Sequence, residues 1–596
     1  MKKIKQIISL VDSKTRRAIP GVFLLALGAS ILEMVGLGVL PVFVKLLAEP
    51  DYMMSFEYSQ PILRLLGISS PNEMILWACV ILVMFFLFKT AYMVLLYYIQ
   101  ARFIKNVMVG VGNKMFRAYL FAPYTFHLHA KTGDILRNVT HGPQYFGASL
   151  VLAILNLFLH SVIVLGVFLL LLFLHPQITL AALIVPAVVA FLFLFVIKKK
   201  SLVQGRNLQE SVAYLTGLTN QGLGSIKETH VRGCYDYLCG QFDRQIRRMG
   251  EAYQFQRFAP NLVKPIMELL GVAVLVGLIF FITSADGSLG DALPMMILFV
   301  AAIARLVQNT IPITQSLTAI RVHSYLASVM DSDLKDVGKE GKISQQDPVK
   351  SSDESIRGGV EVRNIAFQYP RANEWSLTDV SIKIPYHSSI ALVGVSGSGK
   401  STLLDILLGL VCPQKGEVLV DGYNINKNLH AWQRNIGYIP QTIYLLDESI
   451  KKNVAFGVPE ENIDEKQVWE VLRIAQIADF VLALPDGLDT EVGERGVRIS
   501  GGQKQRIGIA RALYQNPDVL VMDEATSALD SATESALMTE VAGLKNKRTV
   551  IMVAHRLSTV KACDRLYLLD KGRVVASGTY EELLLDSADF KKLTNT

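Results

Sequence analysis

Six apolar stretches in the first half of the chain limit its fold more than any other feature: residues 19–47, 74–101, 147–174, 178–197, 259–283 and 292–313. Each reaches the roughly 20 residues that carry a helix, at ~1.5 Å per residue, through a ~30 Å hydrocarbon layer. Lipid offers the backbone no hydrogen bonds, so a crossing segment must satisfy its own, and long apolar runs do so as helices. One such run would suit the core of a soluble protein; six do not. Only His175-Pro176-Gln177 separates the third from the fourth, which marks a tight turn between antiparallel spans. Half the residues are hydrophobic, 19% are charged and the mean hydropathy is +0.35, values that suit a chain that is partly membrane.

The basic residues orient these spans. Six Lys/Arg precede the first; Arg102, Lys105, Lys114, Arg117, Lys131 and Arg137 occupy loop 102–146; Lys198, Lys199 and Lys200 open loop 198–258 and seven more follow. Segment 48–73 has only Arg64, and 284–291 has none. Both termini are therefore expected in the cytoplasm. The asymmetry also explains much of the formal charge of +7 without nucleic acid. The two basic loops read as inward continuations of spans two to five. Each is broken by turn residues, at Ala122–Asp134 and Gly222–Gly233, where short helices are expected. A brief interfacial helix is expected near Ser59–Leu66, started by Pro61.

Charges inside the spans each cost about 2.5–3.5 kcal/mol at mid-bilayer, so they need a reason. Glu33 lies in span one, Lys89 in span two, Arg305 in span six, and Lys264 and Glu268 lie four apart in span five. Lys264 either snorkels or pairs with Glu268. Lys89 and Arg305 either face an aqueous cavity as anchors for an anionic cargo or pair internally with Glu33.

The second half is of a different kind. Polar residues 331–359 read as a linker between a membrane domain (1–330) and a soluble α/β domain (360–596). In the latter, the apolar run Ile390–Val393 leads into GVSGSGKST, residues 394–402. G-x-x-x-x-G-K-S between a strand and a helix is a phosphate-binding loop. Gly394, Gly397 and Gly399 let backbone N–H groups approach an anion, with Ser396 and Thr402 in the same loop. Lys400 reaches the β- and γ-phosphates of a nucleotide, and Ser401 ligates Mg²⁺. Downstream, Val519–Met522 ends in two carboxylates: Asp523 suits Mg²⁺ held through water, and Glu524 suits polarising an attacking water. Ser500-Gly501-Gly502-Gln503 forms a second glycine-rich turn opening a helix, able to bind another phosphate.

The order GVSGSGKST, Gln441, ISGGQ, VLVMDEATSALD and His555 resembles the ATP-binding cassette family throughout the second half, and with six spans ahead the whole chain resembles an ABC exporter half-transporter. That resemblance implies two cassettes closing head to tail over two ATPs, each ATP lying between one subunit's phosphate loop and Ser500, Gly502 and Gln503 of a second copy. It further implies that Tyr369 stacks on adenine, that Gln441 senses Mg²⁺ and the γ-phosphate, that Asp530 follows the carboxylate strand, and that His555 contacts the γ-phosphate. Gly493-Glu494-Arg495-Gly496 resembles the segment that meets the coupling helices. Ile499 stands where Leu is usual, a volume-conserving change. More narrowly, GYIPQTIYLLDESIKKNVAFG, Glu33 and the short outer segment resemble PglK-type flippases. No catalytic position of the cassette is degenerate, so two identical sites and a homodimer are expected. Such flippases imply a place in the bacterial cytoplasmic membrane and movement of lipid-linked oligosaccharide pyrophosphates, with Lys89, Lys264 and Arg305 serving the pyrophosphate. An exporter of lipids or amphipathic drugs is the alternative. A cassette ATPase working on nucleic acid is excluded by the spans. The five cysteines form no metal or disulfide framework and read as free thiols.

Overall fold

The structure is a computed structural model that describes residues 2–48, 70–174, 176–284, 289–340, 358–370, 372–526, 530–543, 547–554 and 557–594. The interfacial helix expected near Ser59–Leu66 and the site residue His555 lie outside these. Two compact units emerge: Met1–Ala122 with His129–Glu340, and Pro123–Leu128 with Gly341–Thr596.

Long helices build the first unit: Ser13–Ala48, Pro71–Leu120, Leu152–Leu174, Pro176–Gly224, Tyr235–Asn261, Val263–Ser284 and Leu289–Glu340. Among the described residues, four stretches have the length and hydropathy to cross a membrane: Ser13–Leu47, Pro71–Leu120, Gly142–Phe173 and Tyr235–Gly277. Helices Pro176–Gly224 and Leu289–Glu340 run through the other two expected spans. Pro71–Leu120 has 50 residues and so extends about 75 Å, far beyond a bilayer. Its start is well specified. Ser70 Oγ accepts from Glu73 N at 3.3 Å, Glu73 Oε2 accepts from Ser70 N at 3.4 Å, and Pro71 occupies the first turn, where its missing N–H costs nothing. Short helices Tyr124–His129 and Ile226–Arg232 fill the two expected breaks, the second ended by Gly233 at φ 64°.

Membrane helices associate by close approach and by interhelical hydrogen bonds, since lipid gives no hydrophobic drive between them. Ala26, Ala29 and Leu37 of the first helix pack with Leu96, Leu159, Ile163 and Phe299. Buried Ser30 donates to Ala26 O at 2.9 Å and to Leu159 O at 3.2 Å, and Tyr92 OH donates to Leu25 O at 3.0 Å. A Cβ on Gly28 would stand 2.4 Å from the Tyr92 oxygen, so glycine is required for this approach. Residues Leu87 and Phe88, each 60% exposed, turn the opposite way, as lipid-facing side chains do.

One boundary differs from expectation. The last helix continues through Glu340, ten residues into the segment read as linker. Composition there is polar, but tertiary partners outweigh it. Tyr119 OH donates to Asp333 Oδ2 at 2.6 Å, and buried Asn138 Nδ2 donates to the same oxygen at 2.9 Å. Asp331 takes Ser9 Oγ at 3.0 Å and pairs with Lys335. Burial raises Asp333 above the usual carboxylate range against the pull of these donors.

The second unit has two sheets. Antiparallel β1 (Val360–Phe367), β2 (Leu377–Ile384), β4 (Lys415–Val420) and β5 (Tyr423–Asn424) are ordered β2-β1-β4-β5. The larger sheet contains β3 (Ser389–Val393), β6 (Ile436–Ile439), β7 (Val519–Asp523), β8 (Thr549–Val553), β9 (Arg565–Asp570) and β10 (Arg573–Gly578), ordered β10-β9-β3-β8-β7-β6. All its pairings are parallel except β9 with β10. Alternate residues serve different cores. Ala391, Val393, Leu520, Met522 and Val550 join one cluster, while Ile390, Leu392, Val519, Val521 and Ile551 join the other. Burial on both faces is why these strands read as unbroken apolar runs. Parallel pairing of both with β8 puts the C-terminal ends of β3 and β7 at one edge, the usual place for a ligand in a parallel sheet.

Candidate functional site

The phosphate loop leaves β3 and ends in helix Lys400–Leu407. Gly394, Gly397 and Gly399 all have positive φ, at 149°, 79° and 104°. Side chains at two of them would collide with backbone: a Cβ on Gly394 would lie 2.2 Å from Leu569 O, and on Gly399 3.0 Å from Ser376 O. Val395, Ser396, Gly397 and Ser401 are exposed, while Lys400 and Thr402 are buried. Lys400 Nζ donates to Gly394 O at 2.8 Å and Val395 O at 2.9 Å, so its ammonium is cradled by its own loop. Burial lowers its pKa, opposed by the charges of Glu524 and Asp523. Ser398 Oγ is buried without a hydrogen-bond partner among the described residues.

Asp523 ends β7 and pairs across to Val553 of β8. Glu524 follows with φ 49°, its N–H donating to Val553 O at 3.0 Å. Gln441, expected to sense the nucleotide, donates from Nε2 to Glu524 Oε2 at 2.7 Å. Its amide oxygen, Ser401 Oγ and the Asp523 carboxylate are the all-oxygen donor type that Mg²⁺ prefers, so the residues fit that ion. Ser500 and Gln503 satisfy each other. Ser500 Oγ accepts from Gln503 N at 3.3 Å, and Gln503 Oε1 accepts from Ser500 N at 2.7 Å, a capping box at the start of helix Gly501–Tyr514. Gly502 is partly exposed beside them. Asp530 caps the next helix through Thr533, at 3.1 Å to its N–H and 2.7 Å to its hydroxyl.

Tyr369 stands edge-on to Phe367 at 4.9 Å, and its hydroxyl lies 3.4 Å from both Thr402 Oγ1 and Asp405 Oδ2, donating its one proton to the carboxylate. Asp405 escaped the sequence reading. Burial, with a further push from the charge of Asp523, raises its carboxyl to about 6, against the hydrogen bond from Tyr369. The only available signal was a lone carboxylate within the otherwise apolar run Leu403–Leu410, immediately before Ile406.

In the first unit, the structure brings together three of the charges expected within the spans. Lys89 Nζ lies 2.9 Å and Arg305 Nη1 3.3 Å from the same Glu33 Oε2. Of the two alternatives, the internal pair is the observed geometry. Lys264 does not join them; it lies 3.9 Å from Glu268, both exposed.

Comparison with known proteins follows the same division. The family model described as ABC transporter transmembrane region matches residues 23–306, and the one described as ABC transporter matches 377–527. This chain is an ABC exporter, a transmembrane domain fused to an ABC ATPase domain. It binds ATP and couples its hydrolysis to transport. Among its relatives, the ATP-dependent lipid A-core flippase of Pectobacterium atrosepticum is 26% identical over 496 residues, covering 82% of this chain and 83% of that one. The Escherichia coli K12 protein of the same name is 28% identical over 484 residues, covering 80% and 81%. A bacterial Atm1-family ABC exporter solved with ATP bound shares the fold, with TM-score 0.78 and 22% identity over 98% of this chain and 99% of that one.

Proposed function

We propose that this exporter is a flippase for a lipid-linked oligosaccharide, a polyprenyl pyrophosphate glycan, acting as a homodimer in a bacterial cytoplasmic membrane with its termini and ATPase domains in the cytoplasm. The observation that carries the cargo class is the cluster Lys89, Arg305 and Glu33: two cations on one carboxylate leave one positive charge within the spans. A surplus charge at that depth is costly unless it serves a ligand of opposite sign. Relatives named for flipping a lipid support a lipid over a water-soluble cargo. Lys264, already paired with Glu268, is a weaker candidate for the pyrophosphate than Arg305.

In the ATP site, Lys400 exchanges its loop carbonyls for the β- and γ-phosphates, and the Gly394–Thr402 backbone holds the rest of the triphosphate. Mg²⁺ held by Ser401, Gln441 and Asp523 would neutralise phosphate charge. Glu524, released from Gln441, orients and polarises the attacking water, with His555 beside the γ-phosphate and Tyr369 against the adenine. Ser500, Gly502 and Gln503 of the second copy close the site, so a single chain alone turns over slowly.

Purified protein in proteoliposomes tests this reading. ATP-driven translocation of a polyprenyl pyrophosphate glycan is the expected result. Translocation of lipid A-core or of amphipathic drugs in its place would favour the second reading, an exporter of lipids or drugs, which the match to lipid A-core flippases over some four-fifths of the chain also supports.

A further inference from the structure

The three clustered charges are not equivalent. Lys89 lies nearer to Glu33, at 2.9 Å against 3.3 Å for Arg305, and its side chain is 9% exposed against 37%. Lys89 is also walled in by the Phe86 ring, 5.3 Å from its Nζ, and by Gly36, where a Cβ would come within 3.7 Å of the ammonium. Arg305 is held differently. Glu33 is its only ion-pair partner among the described residues, and one nitrogen of its fork makes that contact. The turn that carries it is fixed from behind, by Asn309 Nδ2 donating to Arg305 O at 2.7 Å and by His160 Nδ1 against Asn309 Oδ1, also at 2.7 Å. A guanidinium has five donors in a planar fork that matches phosphate oxygens in pairs, so most of this one is left to engage an anion.

Resting on the reading that the cargo is an anionic lipid, we propose that the cluster divides its work: Arg305 binds the cargo phosphate by exchange with Glu33, and Lys89 is a positioning residue that never touches the cargo. Lys89 neutralises Glu33 and thereby keeps the carboxylate from claiming Arg305 outright. Glu33 is in turn a built-in competitor, a carboxylate standing where a phosphate oxygen will sit. It covers the guanidinium between transport events and displaces the phosphate at release. The binding charge is then the single surplus one, on the one side chain of the three that is accessible.

This division makes a prediction that direct contact by Lys89 does not. Removing Lys89 leaves Glu33 with Arg305 as its remaining partner, so the phosphate loses its binding charge. Removing Glu33 as well returns it. The experiment uses full-length protein in phosphatidylcholine proteoliposomes and reads the ratio of ATPase rates with and without a polyprenyl pyrophosphate, with inorganic pyrophosphate as a second arm. Lys89→Met should raise the half-stimulating concentration on the order of tenfold or more, and Lys89→Met with Glu33→Gln should return it to within about threefold of the parent, a coupling of the size that contacting charges show. Glu33→Gln alone should lower it. A double variant as unresponsive as Lys89→Met, or a Glu33→Gln variant with unchanged half-stimulation, overturns the division even though the parent responds. A parent unmoved by either pyrophosphate overturns the anionic-cargo reading and this inference with it. Should Lys89→Met fail to fold, Glu33→Gln alone decides. Response in the lipid arm only assigns the exchange to a lipid-borne phosphate; response in both assigns it to the phosphate itself.

Discussion

Replacing Asp405 by Asn should stabilise the nucleotide-free protein at neutral pH, and the gain should vanish in acid. Burial raises the Asp405 carboxyl from 3.8 to about 6, with the charge of Asp523 adding to the shift and the Tyr369 hydroxyl opposing it. A folded-state pKa above the unfolded value means that the folded chain holds the proton more tightly. Stability therefore falls as pH rises through the window from about 4 to about 6 and stays lowered above it. A shift of about 2 units corresponds to about 3 kcal/mol at 1.36 kcal/mol per unit. Asp405 is only partly buried, and solvent screening reduces the figure to about 1–1.5 kcal/mol. Asparagine keeps an oxygen for the Tyr369 hydroxyl and carries no charge. At about 2–4 °C per kcal/mol for a domain of this size, the cassette transition should rise by roughly 3–5 °C at pH 7.5. The measurement is thermal unfolding of parent and Asp405→Asn in detergent at pH 7.5 and 4.5. A gain of equal size at both pH values, or a loss at pH 7.5, refutes the account, because only the ionised carboxylate bears the cost.

Four further outcomes follow from the same geometry. Glu524→Gln should keep ATP binding, since Gln441 still finds an amide oxygen there, and lose steady-state turnover by roughly a hundredfold or more, checked by nucleotide trapping beside phosphate release. Arg511→Met removes charged hydrogen bonds to Asn453 O at 2.8 Å, Asn453 Oδ1 at 2.9 Å and Tyr444 O at 2.8 Å, and with Asn453 fully buried it should cost about 3 kcal/mol, seen as a lower cassette melting temperature. Gly205→Ala puts a Cβ 2.4 Å from Val322 O and 2.6 Å from Val322 Cα, backbone that cannot step aside, and should cost about 1–3 kcal/mol. Gly240→Ala in an open helical position should instead gain a few tenths to about 1 kcal/mol in the same thermal assay.

What could be seen in the sequence was local. The phosphate loop, the carboxylates after β7 and the helix breaks are each written within a dozen residues, and periodicity or turn chemistry carries them. The capping box of Ser500 and Gln503 was equally legible as S-x-x-Q, although the turn was read for phosphate alone. What escaped depends on distance along the chain. Gln441 meets Glu524 across 83 residues, and Tyr369 meets Asp405 across 36. The helical reach to Glu340 depends on Tyr119 and Asn138, some two hundred residues upstream of Asp333, which is why a polar composition was read as linker. Span charges were legible as anomalies. Their convergence on one oxygen of Glu33 required three helices to be placed.

The two sites treat their cations by one rule with opposite consequences. A charge held away from bulk water is expensive without a partner, so buried Lys400 and the partly exposed Arg305 each have one within the chain. Lys400 rests on two neutral carbonyls. On the proposed reading a triphosphate offers it anionic oxygens instead, adding charge–charge attraction to bonds that the ammonium already makes charge-assisted, so the exchange is downhill. Arg305 rests on a carboxylate. A phosphate arriving there replaces one anion by another, and the exchange is nearly even. A site that must hold nucleotide through closure benefits from the first arrangement. If the cargo is the anionic lipid proposed above, a site that must accept its headgroup on one side of a bilayer and release it on the other needs the second, because a cation without a competing carboxylate would bind that cargo too well to let it go.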